Sequence, residues 1–438
     1  MTAKRNTAKR APAERDPGER ALAEREEFRS AQPAGIETAH AIGIKTGTSA
    51  DGIDAALTRI VDDGTRHRST LVSFASRPFD DATRAAILEA QEGTLTTRPL
   101  LTLAARLPAL AAEVAREALE APAAIGVRVE VVGFHGQTVF HDPRGERSGI
   151  PFTAQIGDPS ILAAALGLSV VSNFRMADIL AGGQGAPLVP RFDWNQFGSA
   201  DTDRALLNLG GIANLTRLHP GAPLAKVVAF DCGPANMLLD GIMTAVAAGA
   251  AAASAVGARY DEGGERAARG RADMAVVREF LSDEYFGRTP PKSAGREEFG
   301  AAYRDRFLAR TEGASLEDRL RTAVALVAGG VAKGIALSAG GRSSSPGSKI
   351  PDEIIVSGGG ARNRTLLNAI EAAVLGAKVT SSGFYGVPAD AKEAMAFAFL
   401  AHETWRGRPG NVPAATGAKR EVLLGSITPA PLWVGNRR

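Results

Sequence analysis

Arg175 and Asp178 stand three residues apart, just before the run Gly182-Gly183-Gln184-Gly185. A carboxylate in such a place can take a proton from water or a sugar hydroxyl, with the guanidinium orienting its neighbours. The glycine density favours a site, although an aspartate capping a loop beside a surface ion pair would use the same residues. A second cluster is Gly47-Thr48-Ser49-Ala50-Asp51-Gly52-Ile53-Asp54. Its glycines let backbone approach a phosphate closely, and its hydroxyls and N–H groups can donate to phosphate oxygens. Asp51 suits Mg2+, an ion that prefers carboxylate, water and phosphate oxygens. The Gly-Lys-Ser/Thr ending of a Walker loop is absent, and an ordinary polar hairpin turn remains open for this segment. Asn208-Leu209-Gly210-Gly211 repeats the idea further along, and two such turns facing each other can clamp a polyphosphate. In Ser357-Gly358-Gly359-Gly360-Ala361-Arg362-Asn363 three consecutive glycines are costly in backbone entropy, which fits close approach of an adenosine and its α-phosphate. His135, Gln137 and Thr138 suit hydrogen bonds to a sugar, while His141 reads equally as a structural histidine. The two histidines lack the third ligand of a zinc site. Pro290-Pro291-Lys292-Ser293 is a further polar cluster in a loop position.

Strands and helices in alternation must position these groups. Residues 41–44 and 53–60 read as a hairpin around the first glycine turn, and 129–134 as a buried strand ending at His135. Two or three helices fill 81–121. A second series repeats the scheme, with strands at 205–209, 212–218, 227–230 and 354–356 and helices at 234–247, 320–337 and 390–405. Asp390 and Glu393 have the spacing of a capping box for the last helix. The pattern argues for two α/β domains with a cleft between them, where ligands bind beside strand ends. Residues 1–35 form a polar tail too poor in apolar side chains to offset its ordering entropy. The domains then cover 36–203 and 204–438. The Ala-rich tract near 245–255 and the Gly/Ser-rich stretch at 339–349 read as helix ends and surface loops.

The chain has 438 residues, 45% hydrophobic and 23% charged, which is globular composition with room for two domains. A net charge of +3 without a basic stripe gives no reason to expect nucleic acid. One cysteine, Cys232, excludes an internal disulfide and a cysteine-rich metal site. No apolar run approaches the ~18–20 residues of a membrane span, and the N-terminus lacks an apolar signal core. A cytoplasmic protein is expected.

Taken together, the motifs resemble the anhydro-N-acetylmuramic acid kinase family. The resemblance runs through Gly47–Asp54, His135–Pro143, Ala154–Ser160, Phe174–Pro190, Leu207–Thr216, Phe230–Asp240, Pro290–Glu297, Val356–Asn363, Asp390–Ala401 and Asn411–Gly425, in the family's order. It implies a two-lobed actin-like ATPase (ribonuclease H-like) fold with an interlobe nucleotide cleft, using ATP and Mg2+. The reaction it implies is phosphorylation of O6 of a 1,6-anhydro sugar while water opens the bridge, in cell-wall sugar recycling. Asp178 matches the base, and Glu393 a position near the sugar, although capping would explain Glu393 as well. Gly233 falls with the nucleotide motifs, and a homodimer is implied. Lys45-Thr46 stands where the family usually has Met-Ser, and Ala50, Cys232 and Ala235 replace the usual leucine, threonine and glycine. Lys45 can strengthen ATP binding or alter loop closure. The competing readings are a levoglucosan kinase, a non-catalytic sugar sensor on the same fold, and a plain ATPase or glycosidase. A glycosidase needs two flanking carboxylates and no nucleotide loops.

Overall fold

The computed structural model describes residues 37–47, 50–249, 260–339 and 350–431, so the 1–35 tail, Thr48, Ser49 and nearly all of the Gly/Ser-rich stretch lie outside the described residues. The first sheet starts as an antiparallel meander of β1 (Glu37–Thr46), β2 (Gly52–Asp62) and β3 (His67–Pro78). On the other side of β1 lie β4 (Val131–Phe134) and then β7 (Val170–Ser172), both parallel to it. Between them in sequence, β5 (Gln137–Asp142) and β6 (Phe152–Ile156) form a separate two-stranded sheet. The second sheet repeats the wiring. Strands β8 (Arg204–Leu209), β9 (Ile212–Leu218) and β10 (Val228–Pro234) form a meander, with β11 (Glu353–Ser357) and β12 (Lys378–Ser381) parallel to β8. This duplicated sheet is the two-lobed actin-like architecture.

The central strands are apolar on both faces because helices cover both. Ala41-Ile42-Gly43-Ile44 and Val131–Phe134 are buried throughout. Helices α1 (Asp81–Glu92) and α2 (Thr97–Glu120) occupy the stretch expected to be helical, with α2 packed on β2 and β3. Three shorter helices follow, α3 (Pro159–Leu166), α4 (Met176–Leu180) and α5 (Pro190–Phe197). The second lobe carries α6 (Asn236–Gly249), a set of short helices across 265–310, α7 (Leu316–Ser338) and α8 (Arg364–Ala373). Against the expectation of no span-length apolar run, α7 has the length and composition of one. It is the core helix of its lobe, with 61% of its apolar window buried.

Helix α9 (Lys392–Trp405) lies between the sheets, sharing one apolar core with Ala41 and Val131 of the first and Leu206, Ala229 and Ile355 of the second. Glycines permit the approach. A Cβ on Gly43 would sit 1.9 Å from the Ala394 carbonyl oxygen, and one on Gly133 2.3 Å from that of Phe397. The capping box at its start is not formed. The N-cap is Ala391 without a side-chain bond, Asp390 pairs with Arg362, and Glu393 turns to Lys45. Two C-terminal segments also cross the boundary placed at 203/204. Helix α9 packs on β1 and β4, and β13 (Ser426–Thr428) pairs antiparallel with β7 of the first sheet.

Candidate active site

Asp178 sits on the five-residue helix α4 rather than in a loop, and it is fully buried. Its Oδ2 accepts from the Gly185 N–H at 2.8 Å, and its Oδ1 accepts from Asn411 Nδ2 and Thr416 Oγ1, each at 2.8 Å. This is not the surface ion pair the sequence left open. An ionised carboxylate offers about four acceptor positions; protein donors occupy three of those on Asp178, which fixes the direction of the group. Gly183 is required here, because a Cβ would lie 2.2 Å from Oδ2. Asn411 and Thr416 were not singled out from the sequence. They lie 233 and 238 residues from Asp178 and carry no local signal. Gln184 reaches the other lobe, its Oε1 accepting from Ser293 Oγ at 2.6 Å.

Arg175 lies beside this pocket. Its Nη1 donates to the Gly185 carbonyl at 2.7 Å, and its Nε and Nη2 donate to His135 Nε2 at 3.2 and 2.8 Å. Burial pulls the guanidinium down to about 10, against the attraction of Glu393, Asp231 and Asp178. Burial and then the Arg175 charge push His135 well below 6.5, so the ring is neutral at physiological pH. Burial with Arg175 likewise takes His141 to about 4, and its Nδ1 meets Thr153 Oγ1 at 3.0 Å, a structural role. Gln137 is fully buried, with Nε2 donating to the Gly47 carbonyl at 3.3 Å and Oε1 unpartnered; Thr138 Oγ1 is also buried without a partner. Those two orphaned oxygens leave hydrogen-bonding capacity for a ligand or water.

The glycine turns meet around α9. Glu393 takes an ion pair from Lys45 at the end of β1 and a hydrogen bond from Asn208 Nδ2 at 3.1 Å. Burial works against the Glu393 charge, but Lys45, then Lys392 and Arg175, bring its pKa below the usual range. The first and second turns are thus joined through one carboxylate. In the first, Ala50 adopts a left-handed φ of 57° and its N–H donates to the Gly47 carbonyl. Asp51 is exposed. Asp54 is held by Ser76 Oγ at 2.7 Å, and burial raises its pKa. Gly52 packs against β3 with Arg77 O 2.4 Å from a Cβ position, and Ile53 is a core residue. Around Gly210, Gly211 and Gly359 a Cβ would meet nothing closer than 3.4 Å. Gly358 and Gly360 instead pack tightly on Asn208 and Leu209, Gly233 against Phe286, and Asn363 caps α8 through Leu366 N. Asn236, not singled out earlier, bonds the Leu209 carbonyl beneath the second turn at 3.2 Å.

No group of three metal-ligating side chains occurs among the described residues. Mg2+ is compatible with less, needing one or two carboxylates beside phosphate oxygens. Asp51 supplies an exposed one. Asp240 on α6 is pushed up to about 7 by burial and then by the Asp51 charge, with Arg84 opposing. The donor set fits a nucleotide-bound ion.

The anhydro-N-acetylmuramic acid kinase family model matches residues 39–430. The anhydro-N-acetylmuramic acid kinase of Salinibacter ruber is 43% identical over 398 residues, covering 89% of this chain and 96% of that protein. That of Gloeobacter violaceus is 37% identical over 391 residues, covering 89% and 98%. That of Caldanaerobacter subterraneus is 35% identical, covering 88% and 96%. Matched from the first strand to the last, the chain belongs to the anhydro-N-acetylmuramic acid kinase family.

Proposed function

We propose that this protein is an ATP-dependent kinase that converts 1,6-anhydro-N-acetylmuramic acid, ATP and water to N-acetylmuramic acid 6-phosphate and ADP. One observation carries the mechanism: a buried carboxylate, Asp178, oriented by three donors beside a glycine loop that contacts both lobes. Asp178 takes a proton from water as the water oxygen bonds to the anomeric carbon. The bridge bond breaks towards O6, which bonds the γ-phosphorus as the bond to ADP breaks. The turns at Gly47–Asp54, Asn208–Gly211 and Gly358–Gly360 would cradle the nucleotide, through backbone N–H groups and the space left at Gly210, Gly211 and Gly359. Asp51 would hold Mg2+, which when bound neutralises charge on the transferring phosphoryl group. Gln137 and Thr138, with unpartnered buried oxygens, would hold the sugar, near Glu393. The reading carries with it a cytoplasmic homodimer acting on a sugar and ATP, with no nucleic acid or membrane partner. Fractionation and light scattering test these points.

The deciding experiment runs the reaction in 18O-labelled water with rapid quenching and mass analysis. Label on the sugar and none on phosphorus is expected, and label on phosphorus would refute the mechanism. Comparing kcat/KM for the anhydro-amino sugar and for levoglucosan separates the two sugar kinases.

A further inference from the structure

His135 has no ring nitrogen free for a sugar. Its Nε2 receives Arg175, so the proton is on Nδ1, which donates to the Gly136 carbonyl at 2.7 Å. The ring is 5% exposed and lies 4.6 Å from that of Phe397. On one side, Arg175 Nη1 holds the Gly185 carbonyl, and the N–H of the same residue donates to Asp178. On the other, the Gly136 carbonyl also accepts from Thr46 Oγ1 at 2.9 Å, and the next residue, Gln137, donates to the Gly47 carbonyl. An unbroken hydrogen-bonded path therefore runs from the Asp178 carboxylate to the entry of the first glycine turn.

We propose that His135 and Arg175 are positioning residues that lock the direction of Asp178 to the place of the Thr46-Gly47 turn, and are not sugar ligands. The meaning of the two ends, water activation and phosphate binding, rests on the function proposed above. The link needs a guanidinium, because a planar fork donates to an imidazole and a carbonyl together, whereas an ammonium is a single point charge on a flexible stem. It also needs a neutral imidazole, since Nε2 must accept. Arg175 and Lys45, the charges that face the ring, both disfavour its protonation. A path of this kind keeps the two halves of a coupled reaction in register, where a 1 Å error costs about 100-fold in rate.

The test uses the full-length enzyme with His135→Ala, His135→Asn and Arg175→Lys. His135→Ala and Arg175→Lys should each lower kcat about 100-fold, with KM for sugar and ATP moving less than about threefold. His135→Asn, whose amide can accept from Arg175 and donate to Gly136, should recover about tenfold of that loss. A raised sugar KM with kcat retained in any variant would overturn the proposal. An independent reading comes from 15N-histidine spectra, with His135→Asn identifying the resonance. The ring should stay neutral and Nδ1-protonated as pH falls through the ordinary histidine value of about 6.5, and its signals should shift in Arg175→Lys. A wild-type ring titrating at an ordinary histidine value would overturn the connection even if variants failed to fold. Should the wild-type protein not turn over the anhydro sugar, the proposed function falls, and the ring spectrum still decides the link.

Discussion

The Asp178 pocket and the glycine turns use the same residue type for opposite ends. Around Asp178 the glycine makes room for protein. Gly183 lies where a side chain would strike Oδ2 at 2.2 Å, and the carboxylate already has three protein donors. At Gly211 and Gly359 the nearest atoms to a Cβ are 3.4 and 3.5 Å away, so the glycine keeps space that protein does not fill. A base needs one fixed direction, whereas a polyphosphate needs bare backbone. The first region is packed by protein donors, and the second keeps open space beside its backbone.

The largest break in this contrast should come from Asp178→Asn. Loss of a general base costs about 100- to 10,000-fold in kcat, while ATP affinity by calorimetry should stay within a few-fold. Lost ATP binding, or near-normal turnover, would contradict the division of labour. Next comes Gly183→Ala, which must displace the Asp178 carboxylate and should lower kcat about 100-fold with KM for ATP unchanged. Gly211→Ala should do the reverse, raising KM for ATP with kcat largely kept. If both alanines gave the same kinetic signature, the two regions would not differ as argued. Asp51→Ala should come third, raising the Mg2+ concentration needed for half-maximal rate by about tenfold, and an unchanged metal titration would remove Asp51 from that role.

The smallest effect concerns Asp240, whose folded pKa is about 7 against an ordinary 3.8. The native state then binds the proton more tightly than the unfolded one, so stability falls as pH rises between those values. Asp240→Asn removes that loss. Its Tm should exceed the wild type by a few degrees at pH 8, and the gap should close towards pH 4. A gap of equal size at both ends would mean that the carboxylate does not titrate as described.

Much of this was legible in the chain. The meanders β1–β2 and β8–β9 stood out because in each a glycine turn joins two largely apolar strands. The edge strand β3 did not, since His67–Pro78 is only partly buried and carries Ser, Thr and Arg on its open positions. Strands β5 and β6 were missed for a similar reason, both being short and largely half-buried. Glu393 was visible but read two ways. Its spacing from Asp390 looked like a cap until the packing of α9 between the sheets placed it beside Lys45 and Asn208. His135 looked like a sugar ligand because nothing local indicates that both its nitrogens are taken by Arg175 and Gly136.

By itself the sequence determined the α/β alternation, the glycine turns, the Arg175–Asp178 pair and the family. These depend on local propensity and on residue types within a few positions of one another. Only the tertiary structure decided which donors hold Asp178, which carboxylate joins the first two glycine turns, and which glycines are packed against protein rather than open. Gly183 and Gly185 lie close to Asp178 in the chain, but the Asn208, Asn411 and Thr416 contacts span 185, 233 and 238 residues. They exist because two sheets and a buried helix close on one another, and no pattern along a single strand or helix encodes the far partner.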